Sequence, residues 1–278
     1  MPPEAVAAAL LSALIHAGWN AALKAGKDRL IDVGVMGLGG IAFGIAMLIW
    51  RGIPDAAAWP FLAASSVVHV LYWIALNRGY AAGDMSHVYT IARGLAPLLV
   101  GLGAVAAAGE VPSGFAAAGI VLVSAGIAGI GFSAQASSSA TAWAVITGLS
   151  IATYSLVDAL GARASGDALA YIGVSSLGTF LPIALYSFLR RSRESVNTAM
   201  RGRWLQVLAA GALSNAGFGL ALWAQTIAPI AYVTALRETS VVFGAAIAAV
   251  ILRETVVPRR WVGAVAIAVG AGLITVSR

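Results

Sequence analysis

SHVYTIARGLAPLL, residues 86–99, and AYVTALRETSVVFG, residues 231–244, decide how this chain folds. Each sets one arginine, Arg93 or Arg237, about two turns inside an otherwise apolar run. A charged side chain at the centre of a membrane helix costs about 2.5–3.5 kcal/mol on insertion scales. A residue that unfavourable is a functional-site candidate by default, and this chain carries it twice.

Composition supports reading these runs as membrane helices. The 278 residues are 60% hydrophobic and only 10% charged, whereas a soluble domain carries about 25% charged residues. The 32 glycines suit helices that pack closely in lipid. Cysteine is absent, which excludes a disulfide framework and thiolate metal sites. The net charge of +6 is no nucleic-acid footprint, because the Lys and Arg residues cluster between apolar runs as the positive-inside rule describes. Residues 1–24 carry Glu4 early and lack a basic leader, so they read as a first spanning helix rather than a signal peptide.

A span needs about 20 mostly apolar residues. That ruler predicts ten: 4–23, 32–50, 59–81, 85–108, 113–132, 141–162, 168–189, 204–227, 229–252 and 258–276. Short polar links join them, with one longer basic loop at 190–203. No ten-residue alternating pattern marks a membrane barrel. The expected fold is all-α, an integral membrane protein of ten helices.

The chain also repeats itself. Arg93 and Arg237 are 144 positions apart, and so are Thr90 and Thr234, Glu110 and Glu254, Gly119 and Gly263, and Gly126 and Gly270. Trp19-Asn20 aligns with Tyr154-Ser155 at a shorter offset, which puts the extra residues of the second half in the basic loop. The reading is two five-helix repeats, 1–136 and 137–278, forming one membrane domain. Because five is odd, the second repeat enters the bilayer from the opposite face, giving inverted repeats around a midplane site. Twelve Lys and Arg fall in the links on one face, against Arg51, Arg163 and Arg278 on the other. The positive-inside rule then puts both termini outside.

Nucleotide-driven pumping lacks its GxxxxGK[ST] loop, no metal or catalytic motif is present, and no cofactor is expected. What remains is polar and aromatic residues on apolar helices. His16, Asn20 and Lys24 fall at i+4 steps on the first span with Trp19 adjoining; His69, Trp73 and Asn77 do the same on the third, beside Tyr72. Either stripe can line a cavity or bond a neighbouring helix. The arginines need counter-charges, for which Glu238 and Asp158 are the candidates, as fixed structural pairs or as a proton-exchanging network. Trp223 on the eighth span is a further cavity candidate. Glu110 and Glu254 precede the fifth and tenth spans, where an acid complements a helix N-terminus. Pro97 and Pro182 lie within spans and mark bends or gates. Gly34, Gly37, Gly40 and Gly44 form a close-packing seam.

The stretches HAGWNAALK (16–24), YTIARGLAP (89–97) and LRETS (236–240), with the links Gly109-Glu110 and Arg253-Glu254, resemble the EamA-type members of the drug/metabolite transporter superfamily. The resemblance covers essentially all ten spans. It implies a multi-pass bacterial inner-membrane carrier whose cavity is lined by spans 1, 3, 4, 6, 8 and 9, with 5 and 10 peripheral. The length and helix plan are similar to those of the aromatic amino-acid exporters of that superfamily. It also implies cytoplasmic termini, opposite to the charge count. The function expected is secondary, alternating-access export of amino acids or related metabolites. Substrate would meet His16, Trp19, Asn20, Tyr72, Trp73, Asn77, Arg93, Trp223 and Arg237, with Asp158 and Glu238 as the charge network. Export of cationic drugs on the same fold is the alternative, and an intramembrane enzyme is a more distant one. The expected partners are a small-molecule substrate and the lipid bilayer, not nucleic acid.

Overall fold

A computed structural model describes residues 1–23, 28–132, 135–251, 253 and 257–277. The described residues form helices and no strand: α1 (Pro3–Leu23), α2 (Arg29–Arg51), α3 (Trp59–Ala82), α4 (Met85–Ala108), α5 (Gly114–Gly131), α6 (Ser138–Ala164), α7 (Ala168–Leu189), α8 (Arg193–Ala199), α9 (Trp204–Ile227), α10 (Ile230–Arg237), α11 (Ser240–Val250) and α12 (Pro258–Val276). Helices are what an apolar chain must form in lipid, because each closes its own backbone hydrogen bonds. Among the described residues, nine stretches are long and apolar enough to cross a membrane, with α10 and α11 counted together as one. The 21-residue α1, PEAVAAALLSALIHAGWNAAL, is a further mostly apolar helix beside these nine.

Polar residues at the ends set the helix boundaries. The Asp28 carboxylate accepts from the Leu30 and Ile31 amides at 3.0 and 3.2 Å to start α2, and Asp167 does the same for α7 through Leu169 and Ala170 at 2.8 and 3.2 Å. Such capping satisfies donors that the first turn leaves free. Gly109 ends α4 in the left-handed region at φ 69°.

Three expectations change. The ninth span, expected to be continuous over 229–252, is two helices separated at Glu238-Thr239. There the Glu238 and Thr239 amides bond back to Ala235 and Leu236, three residues earlier rather than four. The Thr239 hydroxyl also donates to the Leu236 carbonyl at 2.7 Å. A threonine competing for backbone carbonyls is a known source of helix bending. Pro97 and Pro182, by contrast, lie inside unbroken helices. The basic loop holds the short helix α8, and Glu110 does not cap α5, whose N-cap is Ser113. Glu254, Lys24, Lys27 and Arg278 lie outside the described residues.

Packing joins early helices to late ones. α2 lies against α7 and α9, α5 against α12, α3 and α4 against α6, and α1 against α9, α10 and α11. The glycine seam of α2 meets α7: a Cβ on Gly44 would come within 2.8 Å of the Gly173 carbonyl oxygen. Closer still is α9, where a Cβ on Gly39 would fall 2.0 Å from the Leu208 carbonyl oxygen and one on Gly211 2.0 Å from that of Met36. On α5 and α12, Gly119 packs on Gly270 and Gly126 on Gly263. Close backbone approach of this kind is how small residues hold helices together in lipid.

Candidate functional site

The break in the ninth span carries the site. Arg237 ends α10, Glu238 follows it, and Ser240 begins α11. Arg93, on α4, reaches across to this break. Its guanidinium lies 3.0 Å from Glu238 Oε2 and donates to Ser240 Oγ at 3.4 Å, with its Cζ 5.9 Å from the Tyr89 ring. Arg93 Nε is buried without a hydrogen-bond partner, so the pair does not exhaust the bonding capacity of the guanidinium. Glu238 is 4% exposed. The counter-charge expected for the arginines is therefore present, and it pairs with the arginine of the other stretch rather than with its chain neighbour.

Arg237 meets a different environment. Its Cζ stands 5.3 Å from the centroid of Phe218. It lies within electrostatic range of Arg93, Tyr154 and Glu238, and His16 lies within range of both arginines. Among the described residues no carboxylate forms an ion pair with it.

An aromatic wall surrounds the pair. His69 stacks on Tyr154 at 4.2 Å, Tyr72 meets Tyr154 edge-on at 5.7 Å and Trp73 at 5.4 Å, and Tyr154 meets Phe218 at 6.4 Å. Offset and edge-to-face pairs of this sort add to the area they bury. His16 and Trp19 form their own edge-on pair at 5.0 Å. Asn20 donates to the His16 carbonyl at 2.8 Å and Asn77 to the Trp73 carbonyl at 2.7 Å, each on an exposed position of its own helix. Neither bonds a neighbouring helix in these pairs. Tyr154 and Phe218 were not singled out as site residues by the sequence, since an aromatic residue on an apolar helix carries no distinguishing signal.

Two sequence candidates lie elsewhere. Trp223 is a turn and a half beyond Phe218, grouped with Arg51, Arg163, Asp167 and Thr226 at one end of the bundle. Asp158 is fully buried; its Oδ1 accepts from Tyr171 at 2.8 Å, and its Oδ2 has no hydrogen-bond partner. Its polar neighbours are Ser65 and His69 of α3, not an arginine.

Ion pairs tie each end of the bundle. At the Arg51 end, Arg51 pairs with Asp167 at 2.5 Å. Arg163 reaches Glu110 at 2.6 Å and donates to the Gln225 and Ala228 carbonyls at 2.8 and 3.0 Å. Glu110 also accepts from the Ile230 amide at 2.7 Å, so this acid complements the N-terminus of α10 rather than that of α5. At the other end Arg191 pairs with Asp28 at 2.8 Å and Arg203 with Asp32 at 3.2 Å. Among the described residues no cluster of three or more His, Asp or Glu is arranged to hold a metal.

Known proteins bear on these features in two ways. A solved structure, described only as a crystal structure of a protein, matches 98% of this chain and 96% of its own with a TM-score of 0.75 at 19% identity. At that identity the likeness speaks for the fold alone. No curated protein matches the chain. The EamA-like transporter family matches residues 138–276, half of the chain and the half that carries Asp158, Arg237 and Glu238. The chain thus belongs to the EamA-like transporter family, within the drug/metabolite transporter superfamily, and is a multi-pass membrane transporter of a small molecule.

Proposed function

We propose that the protein is a secondary carrier of the bacterial inner membrane, exporting amino acids or closely related metabolites by alternating access. Two inverted five-helix halves, 1–136 and 137–278, rearrange around the two arginines. The packing scheme supports the exchange of halves. Replacing each helix by its counterpart turns α3–α6 into α9–α1, α2–α9 into α7–α3, and α4–α6 into α10/α11–α1, while α2–α7 and α5–α12 map onto themselves. The glycine contacts agree. Gly119–Gly270, moved by 144 positions, becomes Gly263–Gly126, and both contacts are present between antiparallel helices. Antiparallel partners related this way have their axis in the membrane plane.

The observation that carries the reading is the helix broken within its span at Glu238-Thr239, opposite Arg93 and the aromatic wall. Irregular backbone at membrane depth is tolerated where it is buried in protein or lines a cavity, and discontinuous helices mark carrier binding sites. The bundle also differs at its two ends. The Arg163 clamp ties α6, α9, α10 and the α4–α5 link at the Arg51 end. Asn20, Asn77 and Tyr89 are exposed toward the Asp28 end. This arrangement suits a carrier closed at one face and open at the other.

The test is counterflow in proteoliposomes loaded in turn with each of the proteinogenic amino acids. Transient, saturable accumulation of external label is expected for at least one of them. Flux that never saturates, or none across the whole panel, overturns the proposal.

A further inference from the structure

We infer that Arg237 is an anion subsite, and that its ligand is the carboxylate of a small molecule with a flat apolar or aromatic body. The inference rests on the carrier reading for the route by which that ligand arrives.

The 144-residue symmetry holds for the two arginines and fails for their partners. Arg93 pairs with the Glu238 carboxylate and donates to the Ser240 hydroxyl. Moved back by the same 144 positions, Glu238 falls on Gly94 and Ser240 on Ala96. The acceptors that would serve Arg237 as Glu238 and Ser240 serve Arg93 are therefore missing from the chain. At Gly94 a side chain would be crowded by α5. A Cβ on it would lie 3.1 Å from the Ser124 carbonyl oxygen and 3.2 Å from Ala128 Cβ, against α5. The mirrored carboxylate is thus replaced by close backbone packing. Asp158 does not compensate, being turned to Tyr171 and Ser65.

Two guanidinium groups then share a single carboxylate, leaving one formal positive charge in a site walled by aromatic rings. Arg237 is only partly buried, and none of its nitrogens is among the buried unpartnered atoms, so its guanidinium is accessible to a ligand. A ligand carboxylate would supply the missing counter-charge, and the planar fork of arginine can meet both carboxylate oxygens at once. Phe218 and Tyr154, beside Arg237, supply the apolar face against which the rest of the ligand lies. The residue types specify the ligand's two halves: an anionic head at Arg237 and a flat body along the rings.

Benzoate and benzamide are matched probes, one carrying the charge and one not. Their stabilisation of the purified protein against heat is titrated in wild type, Arg237→Gln, Arg237→Lys and the exposed control Arg259→Gln. For wild type and Arg259→Gln, half-maximal stabilisation by benzoate is expected at about 10- to 100-fold lower concentration than by benzamide. Arg237→Gln brings the two together, and Arg237→Lys, which keeps the charge but not the fork, retains part of the preference. Equal responses in wild type, or an undiminished benzoate preference in Arg237→Gln, overturn the inference. The counterflow assay separates the two claims. Benzoate preference without counterflow refutes the carrier and leaves the subsite standing, whereas counterflow without benzoate preference refutes the subsite alone.

Discussion

Arg93 and Arg237 occupy matching places in two similar stretches and meet opposite electrical surroundings, and the difference traces to single residues. Glu238 and Ser240 serve the first; Gly94 and Ala96 leave the second open. The arginines and Glu238 were legible in the sequence because an ionisable group stands out in an apolar run. Tyr154 and Phe218 were not, nor was the grouping of Trp223 with Arg51 and Arg163 at one end of the bundle, for the same reason: a helix apolar all round gives no sign of which face meets which neighbour. Asp158 was legible as an unusual buried acid, but its partner was not, because Tyr171 comes from α7. That bond yields a prediction. Tyr171→Phe removes the tyrosine hydrogen bond to a fully buried carboxyl, so the purified protein is expected to lose about 1–3 kcal/mol of stability in thermal or denaturant unfolding. An unchanged unfolding midpoint would mean that the Tyr171–Asp158 bond contributes nothing.

Helices, rather than residues, were the most readable level. Span lengths and link positions follow from bilayer thickness and from capping residues such as Asp28, Asp84 and Asp167, each of which starts the helix that follows it. The break at Glu238-Thr239 escaped because it contains neither Gly nor Pro. It depends on a carboxylate drawn to a distant arginine and on a threonine taking the Leu236 carbonyl. Glu110 was legible as an acid at a helix start, but which helix it serves is set by the fold. The end ties make the stability of the bundle pH-dependent in a defined sense. The hydrogen bond from Arg191 holds the Asp28 carboxyl below its ordinary range. Burial pushes the Asp167 carboxyl up, but the Arg51 bond and two backbone amides outweigh it and leave it low. Depressed carboxyls stabilise the fold above their unfolded value of about 3.9 and lose that contribution as pH falls through the folded values. Between about pH 8 and 5 that contribution is therefore full and constant, so these two groups leave the melting temperature independent of pH there, and it is expected to fall below about pH 4 by an amount that Asp28→Asn and Asp167→Asn each reduce. A fall of undiminished size in both variants would rule the two ties out as its source.

For the whole molecule, the account treats two similar halves as one machine with an asymmetric centre. The proposal of interchangeable halves draws on the packing scheme and the reciprocal glycines, and that of one occupied and one open arginine on the Gly94–Glu238 difference. The 144-residue offset exposed the halves because paired residues such as Thr90 and Thr234 hold the same local bond, each hydroxyl donating to the carbonyl four residues earlier at 2.8 and 2.9 Å. The gathering of Glu110, Gln225 and Ala228 by Arg163 was not legible, since these groups come from segments far apart in the chain. Alternating access around the arginines is the central claim, and the absence of native cysteine makes it directly measurable. Single-cysteine variants Asn20→Cys and Thr226→Cys, one toward each end of the bundle, are labelled in nanodiscs with a membrane-impermeant maleimide, with and without Glu110→Gln to release the clamp. The account predicts opposite changes, faster labelling at Thr226→Cys and slower labelling at Asn20→Cys; rates that move together, or do not move at all, would contradict it.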